Sequence, residues 1–175
     1  PSEVTVTDTL VYLGSTIPTR TLAVNTGISL WGNRFRIGGQ LDYRGGYVVH
    51  DVDNLFMCGF QENCGALHDA SHYSLEEQAK AVAGARAVGA YAEPGDHIRL
   101  REASLAYNAP ASVAKWFGAH SVSFILTGRN LLLWKFGYKS WDPENTTSGS
   151  SDAAAYAFAV QAQPRVIIGR INVRF

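Results

Sequence analysis

Apolar and polar positions alternate with a period of two along several stretches of this chain. In residues 21–31 one parity is apolar and the other is small or polar, and residues 34–44 repeat the pattern. Successive side chains of a β-strand point to opposite faces, so each stretch predicts a strand with one apolar face. Gly32 and Asn33, which lie between the two stretches, favour a tight turn. The two stretches therefore predict a β-hairpin.

Three further stretches show the same alternation, namely residues 97–108, 120–134 and 164–175. In the first of them the apolar parity slips by one near Glu102, which indicates a β-bulge or a change of environment. Residues 4–13 alternate more weakly and form a candidate sixth strand. The sequence thus predicts an all-β fold of about five to six antiparallel strands.

The connections between these strands alternate between short and long. The short ones are residues 32–33 and a segment near Pro110, where residues 112–118 fit a single helical turn. The long ones are residues 45–96 and 135–163. Strands of about 10 to 13 residues connected in this order are what a transmembrane β-barrel requires. Short turns and the C-terminus then face the periplasm, and the long loops are extracellular.

The apolar parities of the barrel strands are expected to form one continuous lipid-facing surface, made of Leu22, Val24, Ile28, Leu30, Phe35, Ile37, Leu41, Val122, Phe124, Leu126, Ile171, Val173 and Phe175. The alternative is a soluble, secreted β-sandwich that acts as a binding module with a disulfide-stapled loop. A sandwich predicts the same alternation. It gives no reason for the order of short and long connections, nor for the arginines described below.

Composition narrows the class of protein further. Hydrophobic residues make up 46 % of the chain, and the formal net charge is zero, so no nucleic-acid partner is indicated. No run approaches the roughly 18 apolar residues of a membrane-spanning helix. The chain starts with neither Met nor a signal-peptide pattern, so we expect a processed or partial piece of a longer protein.

Arginine supplies 11 of the 15 basic residues, and most of it falls on the polar parity. The residues concerned are Arg34, Arg36, Arg44, Arg99, Arg101, Arg129, Arg170 and Arg174. A charged side chain that faces lipid at mid-bilayer costs about 2 to 4 kcal/mol, so we expect these side chains to face the barrel lumen. They either pair with acidic groups there or offer an attractive path to an anionic solute.

Four aromatic residues cluster where the strand 120–134 ends, namely Trp134, Phe136, Tyr138 and Trp141. Such a cluster fits an aromatic girdle at the membrane interface or, alternatively, stacking on a sugar ring. Together with the arginines it provides the candidate substrate-binding residues, which are Arg99, Arg101, Arg129, Trp134, Tyr138 and Trp141.

The first long connection carries both cysteines, three of the five histidines and an Ala-rich run at residues 75–90 that fits a short helix. Cys58 and Cys64 are close enough in sequence to form a disulfide in an oxidising compartment, with free thiols as the alternative. Nearby histidines have no familiar zinc-ligand spacing, and an acidic run that starts at Asp51 lacks the later Gly and Glu of a calcium loop. No serine elbow, HExxH or paired carboxylates accompany the histidines, so neither a metal, a cofactor nor an enzymatic activity is expected.

Five segments resemble one family in their order and spacing: YLGSTIP (residues 12–18), DHIRLREASLAYNAP (96–110), GRNLLLW (128–134), DPE (142–144) and the final Phe175. The family is the SusC/RagA type of TonB-dependent outer-membrane transporter. The chain departs from it in residues 47–92, which do not align, and at Gly169, which lies one residue farther from Phe175 than is usual.

The resemblance implies a parent with an N-terminal plug and a barrel of about 22 strands. Residues 1–175 would be its C-terminal barrel segment, without the plug. It also implies import of oligosaccharides, peptides or similar nutrients across the outer membrane, energised by TonB and assisted by a SusD-like surface lipoprotein. Five or six strands leave open edges, which must pair with the remainder of the same barrel in lipid.

The last strand ends with Ile171, Val173 and Phe175 on its apolar parity. The resemblance implies that these residues form the signal read by the barrel assembly machinery. Alternatively, Phe175 is only an interfacial anchor.

Overall fold

The computed structural model of the chain describes residues 4–146 and 156–175. It divides the chain into two compact units that interleave along the sequence. We call Thr21–Tyr43, His97–Trp134 and Gln163–Phe175 the sheet unit. We call Pro1–Arg20, Arg44–Asp96 and Lys135–Ala162 the loop unit.

The strands, in chain order, are β1 (Arg20–Leu30), β2 (Phe35–Gly45), β3 (Val48–Asp51), β4 (Ala92–Pro94), β5 (His97–Asn108), β6 (Ser121–Lys135), β7 (Tyr156–Ala157) and β8 (Val166–Arg174). The α-helices are α1 (Val52–Asn54), α2 (Gly65–His68), α3 (Leu75–Ala83) and α4 (Ala111–Trp116). Residues 4–146 and 156–175 also contain a π-helical turn (Leu55–Phe60) and two 3₁₀ segments (Ala70–His72 and Gly84–Tyr91). Among the described residues, no helix is both long and apolar enough to cross a membrane.

The sheet unit is built on a five-stranded sheet with the order β1-β2-β5-β6-β8. These are the five strands expected from the alternation, so the mainly antiparallel all-β fold is confirmed. β6 and β8 are antiparallel, with Phe124 opposite Ile171 and Leu126 opposite Gly169. This register places the apolar positions of the two strands on the same face, because directly opposed residues share a face.

The apolar face of this sheet is open. Leu22, Ile28, Leu126 and Ile171 expose between 54 % and 64 % of their surface. The exception is Val122, which is only 3 % exposed and packs with Ala114 of α4 and with Ala119. The expectation that Val122 lies on the open surface is therefore wrong, because α4 covers the start of β6.

Two irregularities change which side chains share a face. Arg101 and Glu102 are consecutive, yet Arg101 pairs with Asp42 of β2 and Glu102 pairs with Arg129 of β6. The parity slip expected near Glu102 is thus present.

The second irregularity lies in β6. Asn130 has a φ of 52° inside the strand, and a Cβ built on Gly128 would lie 2.8 Å from the Leu131 side chain. Side chains on one face of a regular strand are two residues apart, whereas Gly128 and Leu131 are three apart. This spacing indicates one inserted residue, as in a β-bulge. By this count Trp134 shares the polar face with Arg129.

The loop unit contains a three-stranded sheet with the order β4-β3-β7. β3 pairs with β4 in antiparallel fashion and with β7 in parallel fashion, with His50 opposite both Ala92 and Tyr156. The sequence predicts an irregular connection here, so these short strands were not expected. Their residues pack into an apolar cluster that includes Val49 and Ala157.

The helices of the loop unit surround a second apolar cluster that contains Leu55, Cys58, Ala81 and Tyr91. Ser74 caps the start of α3: its hydroxyl accepts from the Glu77 amide while the Glu77 carboxylate accepts from the Ser74 amide. This capping box stabilises the start of the helix. The Ala-rich run expected to be helical is indeed α3, continued by the 3₁₀ segment Gly84–Tyr91.

Residues 4–13 form no strand in the structure. Leu10 is fully exposed and Tyr12 is 85 % exposed. The candidate sixth strand is therefore wrong for this structure. Weak alternation alone does not form a strand, since a strand needs a ladder partner for its backbone groups.

Candidate functional site

Charge is segregated between the two units although the chain as a whole is neutral. The sheet unit carries nine Arg or Lys residues against two acidic residues. The loop unit carries six basic against thirteen acidic residues. The two units are therefore of opposite sign, and the polar face of the sheet is basic.

Both acidic residues of the sheet unit are paired with arginine. The Arg101 Nε atom donates to Asp42 at 2.7 Å, and both side chains are more than four-fifths buried. The Arg129 Nε atom donates to Glu102 at 3.0 Å, where the arginine is 58 % exposed. An exposed pair such as Arg129 with Glu102 contributes only a fraction of a kcal/mol to about 1 kcal/mol to the stability of the fold. The main effect of both pairs is to fix the side chains on the polar face.

Five arginines of the sheet unit are exposed and have neither an ion pair nor a side-chain hydrogen bond to any described residue. They are Arg34, Arg36, Arg165, Arg170 and Arg174. The register places Arg170 opposite Ile125 and Arg174 opposite Ser121, on the polar side of β8. The polar face thus combines neutralised arginines with arginines that are available to a partner.

The predicted substrate-binding residues are not equally accessible. Arg129, Trp134 and Trp141 are exposed, and Trp134 and Trp141 show 45 % and 70 % of their surface. Arg101 is held by Asp42. Arg99 is only 2 % exposed, so it does not present its guanidinium to a solute.

Tyr138 is placed differently from the interfacial or solute-stacking position expected of it. It is 3 % exposed and belongs to the apolar cluster of Tyr47, Val49 and Ala157 in the loop unit. Burial raises the pKa of the Tyr138 phenol well above its usual range. Its role in this structure is packing, which its position among exposed aromatic neighbours in the sequence concealed.

The DPE motif has a structural place in the loop unit. Asp142 is 1 % exposed, and its carboxylate accepts from the Glu144 amide at 3.0 Å. The Glu144 carboxylate pairs with Arg44 at 3.2 Å, and the Tyr47 hydroxyl donates to the Pro143 carbonyl at 3.3 Å. Burial, reinforced by Glu144, raises the pKa of the Tyr47 phenol. The motif therefore ties the second long connection to the start of the first.

A chain of ionic contacts also joins these connections. Lys139 donates from its ammonium group to Glu77 at 2.6 Å and from its amide to Glu93 at 2.9 Å. Glu93 in turn pairs with Lys80 of α3 at 3.0 Å. Hydrogen bonds from Lys139 and Ser74 lower the pKa of Glu77 to about 2. The loop unit is thus held together by charge as well as by apolar packing.

Cys58 and Cys64 are joined by a disulfide, with their Cα atoms 5.1 Å apart. Cys58 is 6 % exposed and packs against the cluster around Tyr91. The acidic run nearby caps backbone groups: Asp51 accepts from the Asn54 amide and Asp53 from the Ala159 amide. In the described part of the chain, no three His, Cys, Asp or Glu residues are grouped so as to hold a metal ion.

A row of aromatic rings crosses the sheet near the Gly32-Asn33 turn. Trp31 lies 5.5 Å from Phe35, Phe35 lies 4.8 Å from Tyr107, and Tyr107 lies 6.4 Å from Phe124, measured between ring centroids. An aromatic girdle was expected only at the other end of the strands, around Trp134. The signal was present, because Phe35, Tyr107 and Phe124 all occupy apolar parities.

The chain is similar to known proteins both in sequence and in fold. No family model matches the chain. A TonB-dependent receptor, P26 of Formosa agariphila, is 37 % identical over 98 residues, which are 54 % of this chain and 10 % of that protein. The matched part of the chain thus spans about a tenth of the length of this curated relative.

Solved structures of the RagAB peptide importer share the fold. Its closed-closed state matches 91 % of this chain with a TM-score of 0.69 and 18 % identity. Its open-open state matches 90 % with a TM-score of 0.65 and 19 % identity. The matches cover 18 % and 17 % of the neighbouring chains. The resemblance to SusC/RagA-type TonB-dependent transporters, first seen in the motifs, is confirmed.

Proposed function

We propose that this chain, which has the fold of part of a SusC/RagA-type TonB-dependent transporter, forms barrel wall and surface loops of a nutrient importer in the bacterial outer membrane. We assign residues 1–175 to the C-terminal part of the barrel, in keeping with the order of the family motifs. The cargo would be an oligosaccharide, a peptide or a similar nutrient.

The observation that carries this proposal is the open apolar face of the sheet unit. A soluble β-sandwich buries one face of each sheet against the other. Here Leu22, Ile28 and Leu126 remain more than half exposed. Of the thirteen residues expected on this surface, Leu30, Phe35 and Leu41 are partly covered and Val122 is buried. Such a face is stable in contact with lipid, where the hydrophobic effect does not penalise it. The structure therefore gives no support to the sandwich alternative.

The opposite face supports a role in the lumen. Its arginines are costly in lipid, and two of them already bind carboxylates on the same face. In the proposed topology the long connections are extracellular, and the short turns and the C-terminus are periplasmic. The aromatic row of Trp31, Phe35, Tyr107 and Phe124 then lies near the periplasmic interface, where aromatic rings are favoured.

The proposal implies partners that complete the machine. Strands β1 and β8 are the outer strands of the sheet, so each needs a neighbour from the rest of the same barrel. A plug, TonB, a SusD-like surface lipoprotein and outer-membrane lipid are the further partners that the family resemblance supports.

The orientation of the two faces can be tested in the full-length protein that carries this chain. Single cysteines at positions 22 to 25 of β1, each carrying a nitroxide spin label, would be measured in outer-membrane vesicles. We expect oxygen, which concentrates in lipid, to increase the relaxation rate of the spin labels at Leu22→Cys and Val24→Cys. Ala23→Cys and Asn25→Cys should be relaxed by a water-soluble nickel chelate. Equal access of the chelate to all four positions would contradict the barrel.

We further propose that Ile171, Val173 and Phe175 are read by the barrel assembly machinery. Phe175 is 80 % exposed and therefore available to a partner. Deleting Phe175 from the full-length protein should leave heat-modifiable, membrane-inserted protein largely absent. Deletion of a simple interfacial anchor would instead leave near-normal amounts, because an anchor contributes only a few kcal/mol or less.

A further inference from the structure

A depression of about 520 Å³ opens on the polar face of the sheet unit. Its lining includes Arg36 and Gln40 of β2, Asn25 of β1 and Glu102 and Ser104 of β5. The volume lies within the range of small-molecule sites.

Two glycines keep the depression open. A Cβ on Gly38 would lie 2.8 Å from the Ser104 hydroxyl, and a Cβ on Gly27 would lie 3.7 Å from the Arg36 guanidinium. Side chains at these two positions would occupy the floor. Without them, the guanidinium of Arg36 lies directly over Gly27, along one wall of the depression.

Arg36 lacks the carboxylate partner that Arg101 and Arg129 have on the same face. Arg101 and Arg129 are each neutralised by a carboxylate. Arg36 is exposed and makes neither an ion pair nor a side-chain hydrogen bond within the described part of the chain. A guanidinium offers five N–H donors in a planar fork that matches a carboxylate.

The remaining polar groups favour a ligand group that carries a single negative charge. The hydroxyl of Ser104 and the side-chain amide of Asn25 supply further neutral donors. Glu102 also lines the depression, and although its carboxylate is bound to Arg129, it disfavours a doubly charged group. A carboxylate fits this set better than a phosphate monoester, which carries almost two charges.

We propose that this depression binds a carboxylate group of the transported solute, with Arg36 as its principal contact. The inference rests on the proposed function, because it takes the polar face to be the face that solute passes. The carboxylate would come from a peptide C-terminus or from a uronic acid.

The test uses the purified full-length protein and isothermal titration calorimetry. One pair of probes is N-acetyl-trialanine and its C-terminal amide; the other is trigalacturonate and its methyl ester. In one of these pairs we expect the probe with a free carboxylate to bind about tenfold tighter than its uncharged amide or ester, as hydrogen bonds to a charged group allow. The pair that shows the preference identifies the source of the carboxylate.

Three variants test whether the preference for the carboxylate probe depends on Arg36. Arg36→Gln should abolish it, and Arg36→Lys should keep part of it, since lysine keeps the charge but loses the fork. Arg174→Gln removes an arginine from the same face outside the depression and should leave the preference intact. Heat-modifiable mobility in electrophoresis would verify that each variant is folded.

The contradicting results are distinct. No preference in either pair for the unchanged protein, or a preference that survives in a folded Arg36→Gln variant, would overturn the carboxylate site alone. Absence of TonB-dependent uptake for every solute tested in cells would overturn the proposed function, and the carboxylate site with it.

Discussion

The sheet unit and the loop unit are built for different surroundings. The sheet unit leaves its apolar side chains open, and its buried apolar cluster consists of little more than Ala114, Ala119 and Val122. The loop unit buries Val49, Tyr91 and Tyr138 almost completely, as a protein in water does. Under the proposed function the sheet unit therefore depends on the surrounding lipid, whereas the loop unit depends on its own core.

The same contrast appears in their charges. The sheet unit is basic and places its charges on one face, whereas the loop unit is acidic and links its connections through ion pairs such as Glu93 with Lys80. Mutations that remove apolar packing should therefore damage the loop unit most. Mutations that add charge to an apolar position should damage the sheet unit most.

The largest expected effect is on the core of the loop unit. Tyr91 is fully buried, its hydroxyl donates to the Lys80 carbonyl at 3.2 Å, and the Lys80 ammonium lies 4.6 Å from its ring centre. Tyr91→Ala should cost about 3 to 5 kcal/mol of local stability. Hydrogen exchange of the full-length protein should then show an open loop unit and a protected sheet. The control is Val88→Ala in the same 3₁₀ segment, where the side chain is 43 % exposed. Equal exchange in the two variants would contradict a separate core.

The next effect concerns the sheet unit. Leu126 is 54 % exposed on the apolar face, opposite Gly169, and its neighbour Thr127 lies on the polar face opposite Ile168. Leu126→Arg should cost about 2 to 4 kcal/mol if position 126 lies near the middle of the bilayer. Thr127→Arg is the matched control and should cost much less. Denaturant titrations of refolding into lipid vesicles would measure both, and similar costs would argue against a lipid-facing side.

The disulfide gives a smaller effect, again in the loop unit. A bridge between Cys58 and Cys64 closes a loop of about seven residues, for which chain entropy predicts about 2 to 3 kcal/mol. The double variant Cys58→Ser, Cys64→Ser should raise proteolysis within residues 52–91 and leave the sheet unit intact. Mass spectrometry of the unreduced protein would first establish the bond. Unchanged proteolysis would show that the cluster around Tyr91 holds these residues without it.

The two units also differ in how far their sequence predicted them. Every strand of the main sheet followed from alternation, because a membrane-facing strand must repeat its apolar side every second residue. Even the slip at Glu102 was visible. What was missed there, the cover over Val122, depends on α4 packing against β6, which alternation does not encode.

The loop unit was predictable only where a local motif exists. The sequence indicated α3, through its Ala-rich run, and the bond between Cys58 and Cys64. It did not indicate β3, β4 or β7, which are two to four residues long and pair across long stretches of chain. Nor did it indicate that Tyr138 is buried or that Arg99 is inaccessible, because burial of these side chains depends on contacts distant in sequence.

The smallest expected effect is a pH dependence of the loop unit. Hydrogen bonds from Lys139 and Ser74 hold the pKa of Glu77 at about 2, below the usual value for glutamate. A carboxyl group whose pKa is lower in the folded state adds stability above its unfolded pKa, and this stability is lost as the pH falls toward about 2. Because Glu77 is on the surface, solvent screens the contribution.

Hydrogen exchange in α3, corrected for the intrinsic effect of pH, should therefore increase between pH 5 and pH 2.5. Glu77→Gln should flatten this part of the profile, since an amide cannot titrate. Glu76→Gln is the matched control: Glu76 lies in the same first turn, and within the described residues it accepts no hydrogen bond from Lys139 or Ser74. This control should keep the slope of the unchanged protein. If the slope persisted in Glu77→Gln, another carboxylate, with Glu93 the nearest in the network, would be responsible for the acid sensitivity of the loop unit.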